Sequence, residues 1–339
     1  HITPVQCGTK ILYLATDLHP NVLSITSFHD DHDDDDDSSH DHGFPNEPVM
    51  YIGPDSMALV DHWTCLPRRE CVKGEPYRIV DLGTGSGIQA LTMAATLLQE
   101  SSTATSSTMT PKVICVDLNP RALRMARLNF AWNGLPEPEW IIGDLRVEPS
   151  GRRLLLNDDT HQDDPFLDHG SSGGQPCSWR DLIGQPTMIL SNPPFLPVPI
   201  QDGVIAKRHG LYSSGGKSGQ DILRRVIALA AECLAPDGTL AVVSEFMNPQ
   251  TTLSSRLAEW WSGPGSAILF TNEQAMDAST YAQRRADSWQ EFEQWSKHLS
   301  MEGISHISPG LLFIQKMTCN DFTVSNCLVP KTTSGSIWT

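Results

Sequence analysis

The sequence predicts an α/β protein built on a doubly wound, mostly parallel sheet. Short apolar runs alternate along the chain with longer segments whose apolar residues recur every three or four positions, as strands and helices alternate in such folds. The chain has 339 residues, of which 39% are hydrophobic and 19% are charged. This composition is typical of a globular domain and is too apolar for a wholly disordered chain.

Seven apolar runs have the length of strands, and three segments between them have helical periodicity. Asn119 is predicted to cap one helix, with Pro120 in its first turn and Gly134 closing it. We expect an N-terminal remnant at 1–48, a main domain at 49–317 interrupted by insertions at about 100–111 and 147–180, and a C-terminal tail at 318–339. The predicted strands span residues 78–82, 112–118, 139–145, 187–194, 239–247, 266–272 and 310–317, and the helices 88–98, 120–133 and 218–234.

The charge of the chain limits its partners. It carries 40 acidic and 24 basic residues, a formal net charge of −16, which disfavours charge-driven binding to nucleic acid or to anionic membranes. A nucleic-acid substrate met by a local basic patch stays open. No apolar run reaches the roughly 18 residues that span a bilayer, so no membrane partner is expected. Residues 30–42 hold eight Asp and three His, which indicates a solvated insertion or, alternatively, a metal-binding tract.

The eight cysteines do not form a recognisable site. No C-x-x-C pair occurs, and the spacing suggests neither zinc ligands nor a disulfide framework. Cys115 and Cys233 lie inside apolar runs and are predicted to be core residues. We therefore expect reduced thiols, an intracellular and cytoplasmic location, and no metal at the functional site.

A glycine loop follows the first of the seven strands and opens a helix. It reads Asp81-Leu82-Gly83-Thr84-Gly85-Ser86-Gly87. Such a loop lets the backbone approach a ligand, and the helix N-terminus offers free N–H groups. The dinucleotide fingerprint requires a third glycine at position 88, which is Ile. A phosphate-binding P-loop is matched no better, because Gly210 lies one residue too far upstream of Gly216-Lys217-Ser218.

The remaining pattern resembles motif I of the class I S-adenosylmethionine-dependent methyltransferases. Asp117 ends the second strand and Asp144 the third, where a turn or cap role is the alternative for each carboxylate taken alone. The resemblance implies that Asp117 binds the ribose hydroxyls and that Asp144 lies by the adenine amino group. It implies S-adenosyl-L-methionine as the cofactor, bound by Asp81, Gly83, Thr84, Gly85, Gly87, Asp117, Asn119 and Asp144.

Asn192-Pro193-Pro194-Phe195 follows the apolar run TMILS of the fourth strand, residues 187–191. Two prolines can simply end a strand. The same residues also suit methyl transfer to a planar nitrogen. The Asn192 side-chain carbonyl and the Pro193 backbone carbonyl can accept both N–H groups of an acceptor, the prolines stiffen the loop, and Phe195 can stack on the acceptor. No general base is required, since the proton can leave after transfer.

This motif resembles the (D/N)-P-P-(F/Y/W) signature of amino-methyltransferases in the methyltransferase-small and release-factor glutamine methyltransferase group. The resemblance implies a Rossmann-like, seven-stranded sheet with a reversed final strand, and N-methylation of a protein glutamine or a nucleobase. Phe195 resembles the branch that methylates RNA bases. Leu196-Pro197 and the segment 210–223 resemble the branch that methylates protein glutamine. A non-catalytic, cofactor-binding partner subunit is a further alternative. Pro54-Asp55-Ser56, in the lead-in to the main domain, is either a helix cap or a cofactor-side element.

Overall fold

The computed structural model describes residues 1–17, 49, 51–62, 76–103, 110–146, 178–199 and 213–330. The acidic tract at 30–42, residues 104–109 of the first predicted insertion and residues 147–177 of the second lie outside the described residues. The described residues contain eleven strands and eight helices. The strands are β1 (Ile2–Cys7), β2 (Lys10–Ala15), β3 (Arg78–Leu82), β4 (Lys112–Asp117), β5 (Glu139–Ile142), β6 (Met188–Ser191), β7 (Thr239–Met247), β8 (Gly265–Asn272), β9 (Met276–Asp277), β10 (His306–Lys316) and β11 (Phe322–Val329).

The helices cover both faces of the main sheet, which confirms the predicted doubly wound arrangement. Along the sheet the strands lie in the order β11-β8-β10-β7-β6-β3-β4-β5, with β9 paired to β10. The strands from β7 to β5 are parallel, and β10 is antiparallel to both of its neighbours. The helices are α1 (Pro54–Asp61), α2 (Ile88–Thr103), α3 (Pro120–Trp132), α4 (Trp179–Ile183), α5 (Asp221–Cys233), α6 (Leu253–Trp260), α7 (Ala278–Arg285) and α8 (Trp289–Met301).

Alternate residues of each central strand enter different apolar cores. Ile79 and Cys115 pack with α1, α2 and α3 on one face of the sheet. Val80 and Ile114 pack with α4, α5 and α6 on the other. Both faces of a parallel sheet must be covered in this way, which is why these strands read as continuous apolar runs.

The sheet has more strands than the seven predicted. Residues 318–339 were expected to form a tail, but Phe322–Val329 form β11, which pairs in parallel with β8. Most β11 side chains are exposed or half-buried, so main-chain hydrogen bonds rather than apolar burial hold this edge strand. Its main side-chain anchor is Phe322, whose ring stacks on Trp261 with a centroid separation of 5.8 Å.

The N-terminal remnant contributes an antiparallel β-hairpin of β1 and β2. Asn129 of α3 is fully buried and its side-chain amide joins three segments. Its Oδ1 accepts the N–H of Ala15, and its Nδ2 donates to the carbonyls of Ala15 and of Ser86 in the glycine loop. The hairpin and the glycine loop are therefore held by one side chain.

Asn129→Ala is expected to lower the free energy of unfolding by roughly 1–3 kcal/mol, because it leaves buried backbone groups without partners. Urea denaturation measures this difference. Asn133→Ala is the matched control, since Asn133 makes similar bonds to Tyr13 but at an exposed position. A loss for Asn129→Ala no larger than for Asn133→Ala would contradict the bridging role.

Candidate functional site

A cavity lies at the carboxyl ends of β3, β4, β5 and β6. The chain runs from β3 outward through β4 to β5 and returns on the other side of β3 as β6. A crevice forms where the direction of strand order reverses, and ligands of open α/β sheets bind there. The cavity is lined by Val49, Tyr51, Ser56, Asp81, Gly83, Thr84, Gly85, Ser86, Ile88, Gln89, Val116, Asp117, Leu118, Asn119, Ala122, Gly143, Asp144, Leu145, Arg146, Asn192, Pro194, Ser214 and Ile222.

The glycine loop forms one wall of this cavity. Gly87 has a φ of 83°, and a Cβ there would lie 2.9 Å from the Cβ of Ala126 on α3. Only glycine fits both the left-handed backbone and this close approach. The Thr84 hydroxyl donates to the carbonyls of Asp81 and Val116, at 3.0 and 3.2 Å, and ties the loop to the ends of β3 and β4.

Two carboxylates lie below the loop, with Asp81 buried and Asp117 half-buried. The Oδ2 of Asp117 accepts the Gly85 N–H at 2.8 Å, and its Oδ1 accepts the Asn119 N–H at 2.8 Å. Burial raises the pKa of Asp117, and these hydrogen bonds oppose the rise. Asp81 is 1% exposed, and burial raises its pKa to about 8. Its Oδ2 accepts the Ala90 N–H, but its Oδ1 has no hydrogen-bond partner among the described residues.

Asp144 lines the cavity, but its carboxylate is already engaged. Both carboxylate oxygens accept from the Arg146 guanidinium, and the Nη2–Oδ2 distance is 2.7 Å. This ion pair lowers the pKa of Asp144. Arg225 donates to the carbonyl of Arg146 and supports its position. The contact of Asp144 with an adenine amino group stays a prediction, and Arg146 is a wall residue that the sequence motifs did not indicate.

Asn192 follows β6 and lies at the end of the cavity away from Asp144. Hydrogen bonds define the orientation of its side chain. Its Nδ2 donates to Oδ2 of Asp55 at 2.9 Å and to Oγ of Ser56 at 3.3 Å. An ionised carboxylate only accepts hydrogen bonds, so this contact orients the amide nitrogen toward Asp55. The Asn192 Oδ1 is buried and has no hydrogen-bond partner within the described part of the chain. The carbonyl is therefore the group that Asn192 offers to a ligand.

The contact with Asn192 gives Asp55 and Ser56 a role that neither sequence interpretation named. The N-cap position of α1 is Gly53 rather than Pro54, Asp55 or Ser56. Asp55 lies in the first turn of the helix, and its carboxylate accepts backbone N–H groups there. Ser56 lines the cavity, while Asp55 reaches it through Asn192. Burial raises the pKa of Asp55, and the hydrogen bond from Asn192 opposes that rise.

Asn192 and the glycine loop are neighbours, as the sequence predicts. β6 pairs in parallel with β3, with Ser191 opposite Leu82, and the Ser191 hydroxyl donates to the Leu82 carbonyl at 2.7 Å. A Cβ on Gly83 would lie 3.9 Å from the backbone carbonyl oxygen of Asn192. Two predicted sites that are about a hundred residues apart in the sequence therefore share one cavity.

The rest of the motif lies partly outside the cavity wall. Pro194 lines the cavity, whereas Pro193 and Phe195 are not among its lining residues. Phe195 packs against an apolar cluster of α7 and α8 that contains Trp295. A Cβ on Gly219, at φ 71°, would lie 2.5 Å from the Phe195 carbonyl oxygen, so the segment at 213–219 supports this loop closely. Stacking of Phe195 on an acceptor, and a contact from the Pro193 carbonyl, stay predictions.

A partly buried polar cluster lies next to this loop, and no sequence motif indicated it. Glu245 of β7 accepts from the Tyr281 hydroxyl at 2.7 Å and from Arg285 at 3.0 Å. Burial raises the pKa of Glu245, and the Arg285 charge opposes the rise. The three residues carry no local motif, and they meet only because α7 folds back onto the end of β7. They fix the position of the α7–α8 pair against which Phe195 packs.

In the described parts of the chain, no three His, Cys, Asp or Glu side chains are grouped so that they could hold a metal ion. None of the described helices is long and apolar enough to cross a membrane.

Sequence comparison finds relatives for part of the chain. No protein-family profile matches it. A release factor glutamine methyltransferase from Deinococcus radiodurans is 29% identical over 199 residues, which are 58% of this chain and 55% of that protein. One from Mycolicibacterium smegmatis is 27% identical over 192 residues, which are 56% of this chain and 51% of that protein. The chain thus spans about half the length of the curated relatives it matches.

Solved structures were compared as well. TrmN from Thermus thermophilus, at 17% identity and a TM-score of 0.37, is matched over 77% of this chain and 48% of that chain. An rRNA methylase from Streptococcus thermophilus, at 13% identity and a TM-score of 0.37, is matched over 79% of this chain and 99% of that chain. Scores this low carry no functional argument. Both sequence relatives are named release factor glutamine methyltransferase, which confirms the predicted resemblance to that group over 56–58% of the chain.

Proposed function

We propose that this chain binds S-adenosyl-L-methionine and methylates a planar amide or exocyclic amine nitrogen, with a protein glutamine side chain as the preferred acceptor. The observation that carries the proposal is the buried Asn192 Oδ1. It has no hydrogen-bond partner among the described residues and lines the same cavity as the glycine loop.

The cavity residues fit this cofactor. Each oxygen of Asp117 accepts one backbone N–H and retains a lone pair, so the carboxylate can accept two hydrogen bonds from a vicinal diol. The unpaired Oδ1 of Asp81 can accept from an ammonium group. Gly143 and Leu145 provide a wall beyond Asp117 for a flat base. When bound, S-adenosyl-L-methionine supplies an electrophilic methyl group on its sulfonium.

The residues around Asn192 hold and orient the acceptor. Asn192 Oδ1 accepts one N–H of the acceptor, and this bond aims the nitrogen lone pair across the cavity. Asp55 keeps the Asn192 amide from rotating, because a rotated amide would place its carbonyl against a carboxylate. Positive charge develops on the acceptor nitrogen as it attacks, and the carbonyl dipole of Asn192 stabilises that charge.

The electrostatics of the chain favour a protein acceptor over a nucleic acid. The net charge is −16, and Asp55 is buried beside Asn192 at the acceptor end of the cavity. A polyphosphate substrate would have to approach against this field. The names of the two sequence relatives support the same acceptor class.

Incubation with methyl-labelled S-adenosylmethionine and cell extract tests the acceptor class. We expect label that protease releases and nuclease does not. Label released by nuclease would show that the acceptor is a nucleobase and not a protein glutamine. Cofactor binding without any transfer, in extracts from several sources, would favour a non-catalytic partner subunit.

A further inference from the structure

Gln89 has a polar side chain in an otherwise apolar stretch of α2. It is 3% exposed and lines the cavity. Neither its Oε1 nor its Nε2 has a hydrogen-bond partner among the described residues. A buried primary amide without partners costs roughly 1–3 kcal/mol or more, whereas an apolar side chain of similar shape would cost nothing. Such a residue indicates a polar ligand group at this position.

The position of Gln89 in the cavity indicates which part of the ligand it contacts. Among the residues that line the cavity, three have a buried side-chain atom without a hydrogen-bond partner in the described part of the chain: Asp81, Gln89 and Asn192. Asp81 lies in β3, Gln89 lies in the helix that follows β3, and Asn192 follows β6. Asp117 ends β4 and Asp144 follows β5, on the other side of the cavity. If the ribose lies at Asp117 and the methyl acceptor at Asn192, the amino-acid tail of the cofactor must lie on the β3 side, between Asp81 and α2.

Charge complementarity then indicates which residues bind the ammonium group of that tail and which bind its carboxylate. The free Oδ1 of Asp81 suits the ammonium group, so the carboxylate needs donors elsewhere. Gln89 is the second residue of α2, a helix of 16 residues, whose N-terminal end carries partial positive charge. An amide nitrogen with two N–H donors at this end matches an anion.

Resting on the proposed function, we propose that Gln89 is a specificity-determining residue that donates from Nε2 to the α-carboxylate of the cofactor. The relevant ligand pair is S-adenosylmethionine and its decarboxylated analogue, which keeps the sulfonium, the ammonium and the nucleoside. Gln89 should contribute to the affinity for the first ligand only.

Calorimetric titration of the unaltered chain and of Gln89→Leu with both ligands tests this assignment. Hydrogen bonds to charged groups contribute about 1.5–3 kcal/mol, so Gln89→Leu should weaken S-adenosylmethionine binding by roughly ten- to a hundredfold. Binding of the decarboxylated analogue should change by less than about threefold. Gln89→Glu should weaken S-adenosylmethionine binding at least as much, because it places a second negative charge beside the carboxylate.

Equal losses for both ligands, or no loss for either, would overturn the role of Gln89. Tighter binding by Gln89→Glu would also overturn it, because that result assigns Gln89 to the ammonium instead. Failure of the unaltered chain to bind either ligand would overturn the proposed function, and this inference with it. Urea unfolding of each variant checks the fold, and Gln89→Met replaces Gln89→Leu if the latter does not fold.

Discussion

Asn192→Ala should lower methyl transfer by at least about a hundredfold and change cofactor affinity by less than about threefold. The variant removes the buried carbonyl that, in the proposed function, orients the acceptor and stabilises charge on its nitrogen. Loss of one such preorganised dipole typically costs 10²–10³ in turnover. Asn192 is not expected to contact the cofactor tail. The affinity of the variant for the cofactor should therefore be unchanged.

Single-turnover transfer and calorimetric titration separate these two effects. Asn133→Ala is the matched control, because it also truncates an Asn amide but at a position bonded to the N-terminal hairpin. Asn133→Ala should transfer methyl groups normally. Full activity of Asn192→Ala, or an equal loss of transfer and affinity, would show that the acceptor site lies elsewhere.

Asp81→Asn should make the ligand-free chain more stable at high pH and make cofactor binding weaker. Burial raises the pKa of Asp81 to about 8, above the 3.8 of an unfolded aspartate. The folded state therefore holds this proton more tightly than the unfolded state does. The contribution of Asp81 to stability is greatest below pH 3.8, declines as the pH rises, and becomes constant above about 8.

The stability advantage of Asp81→Asn should thus grow with pH, by at most about 1.4 kcal/mol per unit, and level off near pH 8. Urea denaturation at pH 6, 7, 8 and 9 would reveal this trend. In the unaltered chain, affinity for the cofactor should rise with pH up to about 8, since an ammonium group pairs with the ionised carboxylate. A pH-independent stability difference, or unchanged affinity in Asp81→Asn, would contradict this account.

The central strands and their loops could be predicted because their signals are local. Uninterrupted apolar runs mark strands that are buried on both faces. In β3, for example, Ile79 enters one apolar core and the next residue, Val80, enters the other. Two prolines after Asn192 mark the end of β6. The sequence did not predict β11, because pairing to β8 satisfies its backbone while most of its side chains stay exposed.

The contacts that orient the site could not be predicted, because they join distant segments. Asp55 and Asn192 are 137 residues apart, and nothing in the local sequence pairs them. Glu245 and Arg285 meet only through the fold of α7. Gln89 did carry a local signal, as a polar residue in the run IQALTMAATLL, but helical periodicity alone does not separate a cavity residue from a surface residue.

The chemical identity of the transferred methyl group tests the central claim most directly. The product of the labelled reaction would be digested, treated with mild base and examined by mass spectrometry. A methyl group on an amide or exocyclic amine nitrogen stays attached under mild base, and this is the result we expect. Release of labelled methanol, which indicates a methyl ester, or a methyl group on carbon would contradict an Asn192 site built for a planar nitrogen.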